Sequence, residues 1–203
     1  MNDDRSWTPP GPDDWMAQRL FAQRVVPLSG TLDHATAGHV AAQLMTLDAL
    51  GDDPVELRVT SPGGEVAAAL SLVDVVDLLG VPVRATAVGR VHGPALAVLA
   101  VCDDRTVAAH SSLRLTGTRV ELWGAASDLA RQADAHRVEW DAFCACMARA
   151  TGQDLDRVAA DAGTGRYFTA EEAVGYGIAD RVRGADAAVH RLPTRTIGFR
   201  SHA

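Results

Sequence analysis

The turn Ser61-Pro62-Gly63-Gly64 constrains the fold of this chain more than any other segment. It cuts short Val55-Glu-Leu-Arg-Val-Thr60, whose period-two alternation sets Val55, Leu57 and Val59 on one face of a strand. Beyond it, polar Ser71, Asp74 and Asp77 recur every three positions through the otherwise apolar stretch 65–79, the signature of a helix. Gly80 and Pro82 end that helix. The same order then returns: a strand over 81–88, glycines at 89 and 93, and an apolar helix over 94–101 with Pro94 in its first turn. Upstream, the strand 24–30 closes on Gly30, and a helix over 34–49 aligns Val40, Leu44 and Leu47. Strand, glycine turn and helix repeating as a unit predicts an α/β fold of the spiral type.

The remaining stretches extend that reading. Strands are expected near 105–109 and 113–115, a long helix over 125–150 and a short one over 154–161. Thr169-Ala-Glu-Glu172 opens a last helix as a capping box. With 203 residues and 47% hydrophobic content, the chain is sized for one core and one domain. We place that domain at 14–185, with Asp14 capping a first helix that runs to Ala22. The Asp- and Pro-rich segment 1–13 is expected to be a flexible arm, and 186–203 a flexible tail.

Composition removes several classes of function. No apolar run reaches the length of a membrane span and the acidic N-terminus does not resemble a secretory signal, so the cytoplasm is the expected compartment. A net charge of −7 argues against nucleic acid, because no basic run is seen and Arg191, Arg195 and Arg200 are too sparse. Cys102, Cys144 and Cys146 have no disulfide-framework spacing. On a helix, Cys144 and Cys146 point roughly opposite ways, a poor metal geometry, so neither a metal nor another cofactor is expected.

The motifs carry more. Thr60-Ser-Pro-Gly-Gly64, Gly89-Arg-Val-His-Gly-Pro-Ala95, Leu113-Arg-Leu-Thr-Gly-Thr118, Thr151-Gly-Gln153, Asp161-Ala-Gly-Thr-Gly165 and Phe168-Thr-Ala-Glu-Glu-Ala173 follow one another in an order and spacing that resemble the proteolytic subunit of the Clp protease family, apart from a turn near 102–105 that is two residues short. The resemblance implies a Clp protease/crotonase-like spiral of β-β-α units with a protruding long helix. It also implies a place in a ring, as a homo- or hetero-oligomer with catalytic Clp subunits, beside a hexameric AAA+ ATPase.

Carried over position by position, the resemblance puts the nucleophilic serine on Gly93, the histidine base on Thr116 and the orienting aspartate on Gly165. Glycine cannot attack, threonine is no base near neutral pH, and a second glycine cannot hold an imidazole in place. The two oxyanion donors fall on Gly63 and on Pro94, and proline has no N–H to give. Loss of one such donor costs about 3 kcal/mol of transition-state stabilisation. The expectation is a catalytically degenerate member, a pseudoprotease that scaffolds or modulates a Clp complex.

Gly64 and His92 remain as candidate cleft-lining residues, with peptide binding by strand addition as a retained function. Two other readings stand beside this one. An active Clp serine endopeptidase with unconventional residues would draw on His92, or on His110, Ser111 and Ser112. A crotonase-like acyl-CoA binder would use the glycine-turn amides, although no phosphate-binding basic cluster is seen. In the arm-forming helix 125–150, Leu129, Val138, Phe143 and Met147 are apolar. The segment Gly117-Thr-Arg-Val-Glu121 and the pair Gly163-Thr164 depart from the family pattern at places that join rings, and the proline-rich arm makes ATPase docking through it doubtful.

Overall fold

The computed structural model describes residues 12–117 and 123–184, apart from the side chains of residues 12–14 and 126. Residues 1–11 of the expected arm 1–13, the segment 118–121 and the expected tail 186–203 lie outside the described residues. The chain runs α1 (Pro12–Ala22), β1 (Val25–Ser29), α2 (His34–Leu50), β2 (Val55–Ser61), α3 (Val66–Leu78), β3 (Val83–His92) and α4 (Ala95–Ala100). It continues through β4 (Asp104–Ala108), β5 (Ser112–Leu115), α5 (Ala126–Thr151), α6 (Leu155–Thr164), β6 (Arg166–Phe168), α7 (Ala170–Tyr176) and β7 (Arg181–Arg183).

Five parallel strands form the main sheet in the order β1-β2-β3-β4-β7. β3 is long enough to belong to two layers. Its first half pairs with β2 and β4, while Arg90–His92 pair in parallel with β5, which in turn takes β6 antiparallel. The register of β2 shifts between Val59 and Ser61 at this fork, the local bend an irregular strand pairing produces. Both glycine turns therefore sit where the sheet divides.

The alternation read in the sequence is the one that folds. Val55, Leu57 and Val59 are buried with Val83, Ala85 and Ala87, and the α2 stripe Val40, Leu44 and Leu47 packs on them. All six residues of α4 are buried. In α5 the second half is core, through Phe143 and Met147, whereas Val138 in the first half is 65% exposed. The long helix is thus anchored at one end and projects at the other. Among the described residues no helix is long and apolar enough to cross a membrane.

Several boundaries differ from expectation. α1 begins at Pro12 rather than at an Asp14 cap, because proline at the first helical position gives up an N–H that would have no partner anyway. β3 continues past Val88 to His92, held by the β5 ladder that local periodicity does not reveal. α2 gains an unanticipated cap, Asp33, whose carboxylate accepts the Thr36 N–H at 2.8 Å. The Thr169–Glu172 capping box is present in full.

Crossings between elements impose the sharpest constraints. Leu32 bridges Gly64: the Leu32 N–H donates to Gly63 O and the Glu65 N–H to Leu32 O, at 2.9 and 2.8 Å. A Cβ at Gly64 would lie 2.0 Å from Leu32 O, so only glycine lets the two backbones meet. A second knot ties the far side of the sheet. Arg105 Nη1 donates to the carbonyls of Ala100, Ala150 and Gly177, which close α4, α5 and α7, and its Nε and Nη2 hold Asp180 at the approach to β7. One guanidinium satisfies three helix C-termini and the charge suits their dipoles.

Arg105 holds the Asp180 carboxyl below the usual carboxylate range through its side-chain hydrogen bond, against a smaller burial effect. A carboxylate with a lowered folded pKa gives stability that is present above about pH 4 and lost as pH falls through the folded value. We expect Arg105→Met to lower the unfolding free energy by about 3 kcal/mol in urea titrations. The variant is also expected to lose part of the wild-type decline in stability below pH 4. An unchanged midpoint would contradict the role given to this residue.

Candidate functional site

The fork of the sheet brings together residues that are far apart in sequence. β3 ends at His92, and Gly93 turns the chain into α4 with φ +56°, its N–H donating to Arg114 O at 2.8 Å as the last rung of the β3–β5 pairing. A Cβ placed on Gly93 would point at Thr116, 3.4 Å from its carbonyl oxygen and 3.8 Å from Cγ2, and would lie 3.9 Å from the Gly63 Cα. The antiparallel register pairs Leu115 with Arg166, so one step further Thr116 stands beside Gly165. The fold thus gathers Gly63, Gly93, Thr116 and Gly165 at one locus.

What these positions offer chemically is limited. Gly93 and Gly165 carry no functional group. The Thr116 hydroxyl donates to Gly117 O at 3.3 Å. Pro94 is the N-cap of α4 and has no N–H. The Gly63 N–H, read from sequence as the surviving oxyanion donor, turns back into its own loop and donates to Ser61 Oγ at 3.2 Å. Ser61 is fully buried, and its hydroxyl donates in turn to Gly63 O at 3.0 Å. Gly64 is explained by its crossing with Leu32 and needs no ligand to account for it.

Sequence reasoning missed what stands at Gly165. That glycine caps α6 in a left-handed conformation, φ +72°, and a Cβ there would lie 2.7 Å from Arg114 Nη2 and 3.2 Å from Nε. The Arg114 guanidinium fills that space, its Nε donating to Gly165 O at 3.2 Å. It also lies over the Tyr167 ring at 4.7 Å, and the ring meets His92 edge-on at 5.9 Å. The register explains the row: His92 pairs with Arg114 and Arg114 with Tyr167 across three strands. A signal existed in the sequence, since Arg114 lies two residues before the base position, but only the β5–β6 pairing turns it towards residue 165.

His92 is half-buried, and its Nε2 is buried with no hydrogen-bond partner among the described residues. Burial first, then the charges of Arg90 and Arg114, push its pKa below the usual histidine value, so the ring is neutral at pH 7. No serine hydroxyl among the described residues reaches it. Ser111 is buried and donates to Ala87 O at 3.1 Å, which commits it to the strand. His110 and Ser112 line a separate cavity of about 340 Å³ with Tyr167, Phe168 and Thr169. Asp161, one helical turn before Gly165, is committed to other partners. It accepts from Tyr176 Oη at 2.9 Å and from Arg166 Nη1 at 3.0 Å, and burial followed by this bond pushes the Tyr176 hydroxyl up to about 12.

No cluster of metal ligands occurs among the described residues. The thiols of Cys102, Cys144 and Cys146 are buried, and burial pushes Cys102 up to about 12 and Cys144 up to about 11, away from thiolate chemistry.

The family model described as Clp protease matches residues 13–186. The chain is similar to ATP-dependent Clp protease proteolytic subunit 3 of Rhodococcus jostii, 33% identical over 83% of this chain and 85% of the relative. It is likewise similar to subunit 4 of the same organism, at 34% over 82% and 88%. Subunit 1 of Streptomyces avermitilis is 32% identical over 86% and 82%.

Two outcomes follow from this geometry. A folded His92 that resists protonation makes the native state lose stability as pH falls below about 6.5, because the unfolded chain binds the proton more readily. In NMR titration His92 is expected to protonate below the usual histidine midpoint, and Arg114→Gln to raise its midpoint; an unshifted His92 would contradict the burial argument. Separately, Gly93→Ser combined with Thr116→His and Gly165→Asp is expected to hydrolyse a fluorogenic peptide at background rate while Pro94 remains. Substantial turnover by that triple variant would show that an N–H at position 94 is unnecessary.

Proposed function

The chain belongs to the Clp protease family, and we propose that it serves there as a subunit that does not cleave peptide bonds, contributing structure or regulation to an ATP-dependent Clp complex. The observation that carries this reading is Gly93. The resemblance carries the nucleophile to this position, which lies beside Thr116 and Gly63 and bears no side chain. Each other position supports the same conclusion by a different route. Thr116 offers no base, and the Arg114 guanidinium stands where an orienting carboxylate is needed. The paired oxyanion donors reduce to a proline and to an amide already engaged by Ser61. Acyl transfer by a Ser-His-Asp route has no nucleophile, no base and no acid to run on.

What remains is a scaffold with the family's fold. Members of the family assemble into oligomeric rings with ATPase partners. The anchored, projecting α5 supports assembly as the retained role, because its first half leaves Val138 exposed beside the ion pair Arg137–Asp134. A peptide laid along the cleft beside the Gly63 turn and His92 is compatible with that role. His92 without a hydroxyl partner gives no support to an active peptidase using unconventional residues.

Native mass spectrometry of this chain with a catalytic Clp subunit from the same cell is expected to give masses of mixed rings, in which addition of this chain dilutes the serine-directed labelling per ring. Separate, non-exchanging species across the concentration range would contradict the proposal.

A further inference from the structure

The strands that meet at the fork carry positive charge that the fold leaves unanswered. Strand alternation buries Val91, Leu113, Leu115 and Phe168, and turns Arg90 and His92 of β3, Arg114 of β5 and Tyr167 of β6 to the other face. Register lays these side by side: His92 pairs with Arg114 and Arg114 with Tyr167, while Arg90 stands two positions before His92. Gly93 follows His92 directly, so the row ends at the locus shared by Gly93 and Gly63.

Arg114 is half-buried, and its described contacts are with uncharged groups: Nε donates to Gly165 O at 3.2 Å and the guanidinium lies 4.7 Å from the centre of the Tyr167 ring. The charges that act on His92 are those of Arg90 and Arg114, both positive. The acids of the neighbouring elements are spent elsewhere. Asp161 accepts from Arg166 and Tyr176, and Glu172 closes the capping box of α7. Neither Arg90 nor Arg114 has a carboxylate partner among the described residues, and His92 Nε2 is buried without one of any kind there. Cations partly withdrawn from water without a counter-charge, next to an unpartnered ring nitrogen, cost free energy that an oxyanion bound between them offsets.

We propose that Arg114, His92 and Arg90 form an oxyanion site that holds the C-terminal carboxylate of a peptide lying beside Gly63 and Gly93. The inference rests on the reading of this centre as one that does not cut. Strands lie about 4.8 Å apart, a spacing that one two-oxygen group bridges between Arg114 and His92. The Arg114 Nη groups offer the fork that suits a carboxylate, and a neutral His92 with its proton on Nε2 adds a donor without adding charge. An extended peptide is uncharged along its backbone and has one obligatory negative charge, at its C-terminus. A lone oxyanion site beside the cleft therefore selects chain ends whatever their sequence, while the net charge of −7 on the whole chain disfavours a polyanion. The site exists because residue 165 is glycine: Arg114 fills the space a side chain there would take, and an acid at 165 would pair with it and cancel the charge.

The test is fluorescence anisotropy of the full chain with an N-terminally labelled hexapeptide of Gly, Ala and Leu, as the free acid, as the C-terminal amide, and as an amide carrying one internal Glu. Acetate and inorganic phosphate serve as competitors. The acid is expected to bind at least about 10-fold more tightly than either amide, the worth of one charge-assisted hydrogen bond. Arg114→Gln is expected to remove that preference. Arg90 is exposed and makes no side-chain hydrogen bond among the described residues, so Arg90→Gln leaves the fold alone and is expected to weaken the acid about 3-fold. Arg131→Gln on α5, equal in charge removed, is expected to change nothing. Equal affinity for acid and amide, no binding of either, or equal losses in Arg90→Gln and Arg131→Gln would overturn the proposal. So would an internal-Glu amide that matches the acid, which would make the site one for acidic side chains, or phosphate that displaces the peptide better than acetate, which would make it one for phosphate groups. Fragments appearing from the peptide would defeat the non-cleaving reading and this proposal with it, whereas loss of the acid preference with the peptide intact would defeat the oxyanion site alone.

Discussion

The contact between Leu32 and Gly64 is the constraint on which the site depends. A turn that follows β2 and a bridge residue that follows β1 share their hydrogen bonds at a distance no side chain permits. That contact fixes the Ser61–Gly64 loop against the first βα unit, and the loop in turn sets Gly63 beside Gly93. Arg105 performs the matching service at the other end of the helices, where three C-terminal carbonyls and Asp180 converge on one side chain. Both knots use polar backbone groups that would otherwise be buried without partners, which is why a small change at either reaches far.

Within that frame the proposed loss of the family's chemistry takes two distinct forms. At Gly93 and Gly165 the functional group is simply absent. At Pro94, Gly63 and the space beside Gly165 something else has been put in place: a ring without an N–H, an amide satisfied by Ser61, and the Arg114 guanidinium stacked on Tyr167. The second kind makes the cleft harder to restore than a list of lost residues suggests. An aspartate at 165 would first have to displace Arg114 or pair with it. A neutral His92 beside two arginines is able to accept a proton, yet no serine hydroxyl among the described residues reaches its Nε2 to give one.

Much of this was legible in the chain. Alternation in 55–60, the three-residue polar rhythm of 71–77 and the Thr169–Glu172 capping box are local signals, and local hydrogen bonds or one buried face enforce them. The convergence of Gly93, Thr116 and Gly165 was legible only through family resemblance, because it rests on pairing between β3, β5 and β6. The three-residue strands β6 and β7 escaped detection, being shorter than one period of evidence for alternation and held mainly by their neighbours. The partner of the Gly63 amide was equally hidden, since Ser61 reads as a strand-ending residue until its hydroxyl is seen to turn inward.

The central claim is that the fold has kept its scaffold and its capacity for association without a means of cutting. Steady-state hydrolysis of a fluorogenic peptide by the purified chain, run beside fluorophosphonate labelling to register any contaminating relative, tests it most directly. The account predicts a rate indistinguishable from buffer and no labelled band at the mass of this chain. Sustained turnover that co-purifies with the chain, with no labelled contaminant and abolished by His92→Ala, would contradict it.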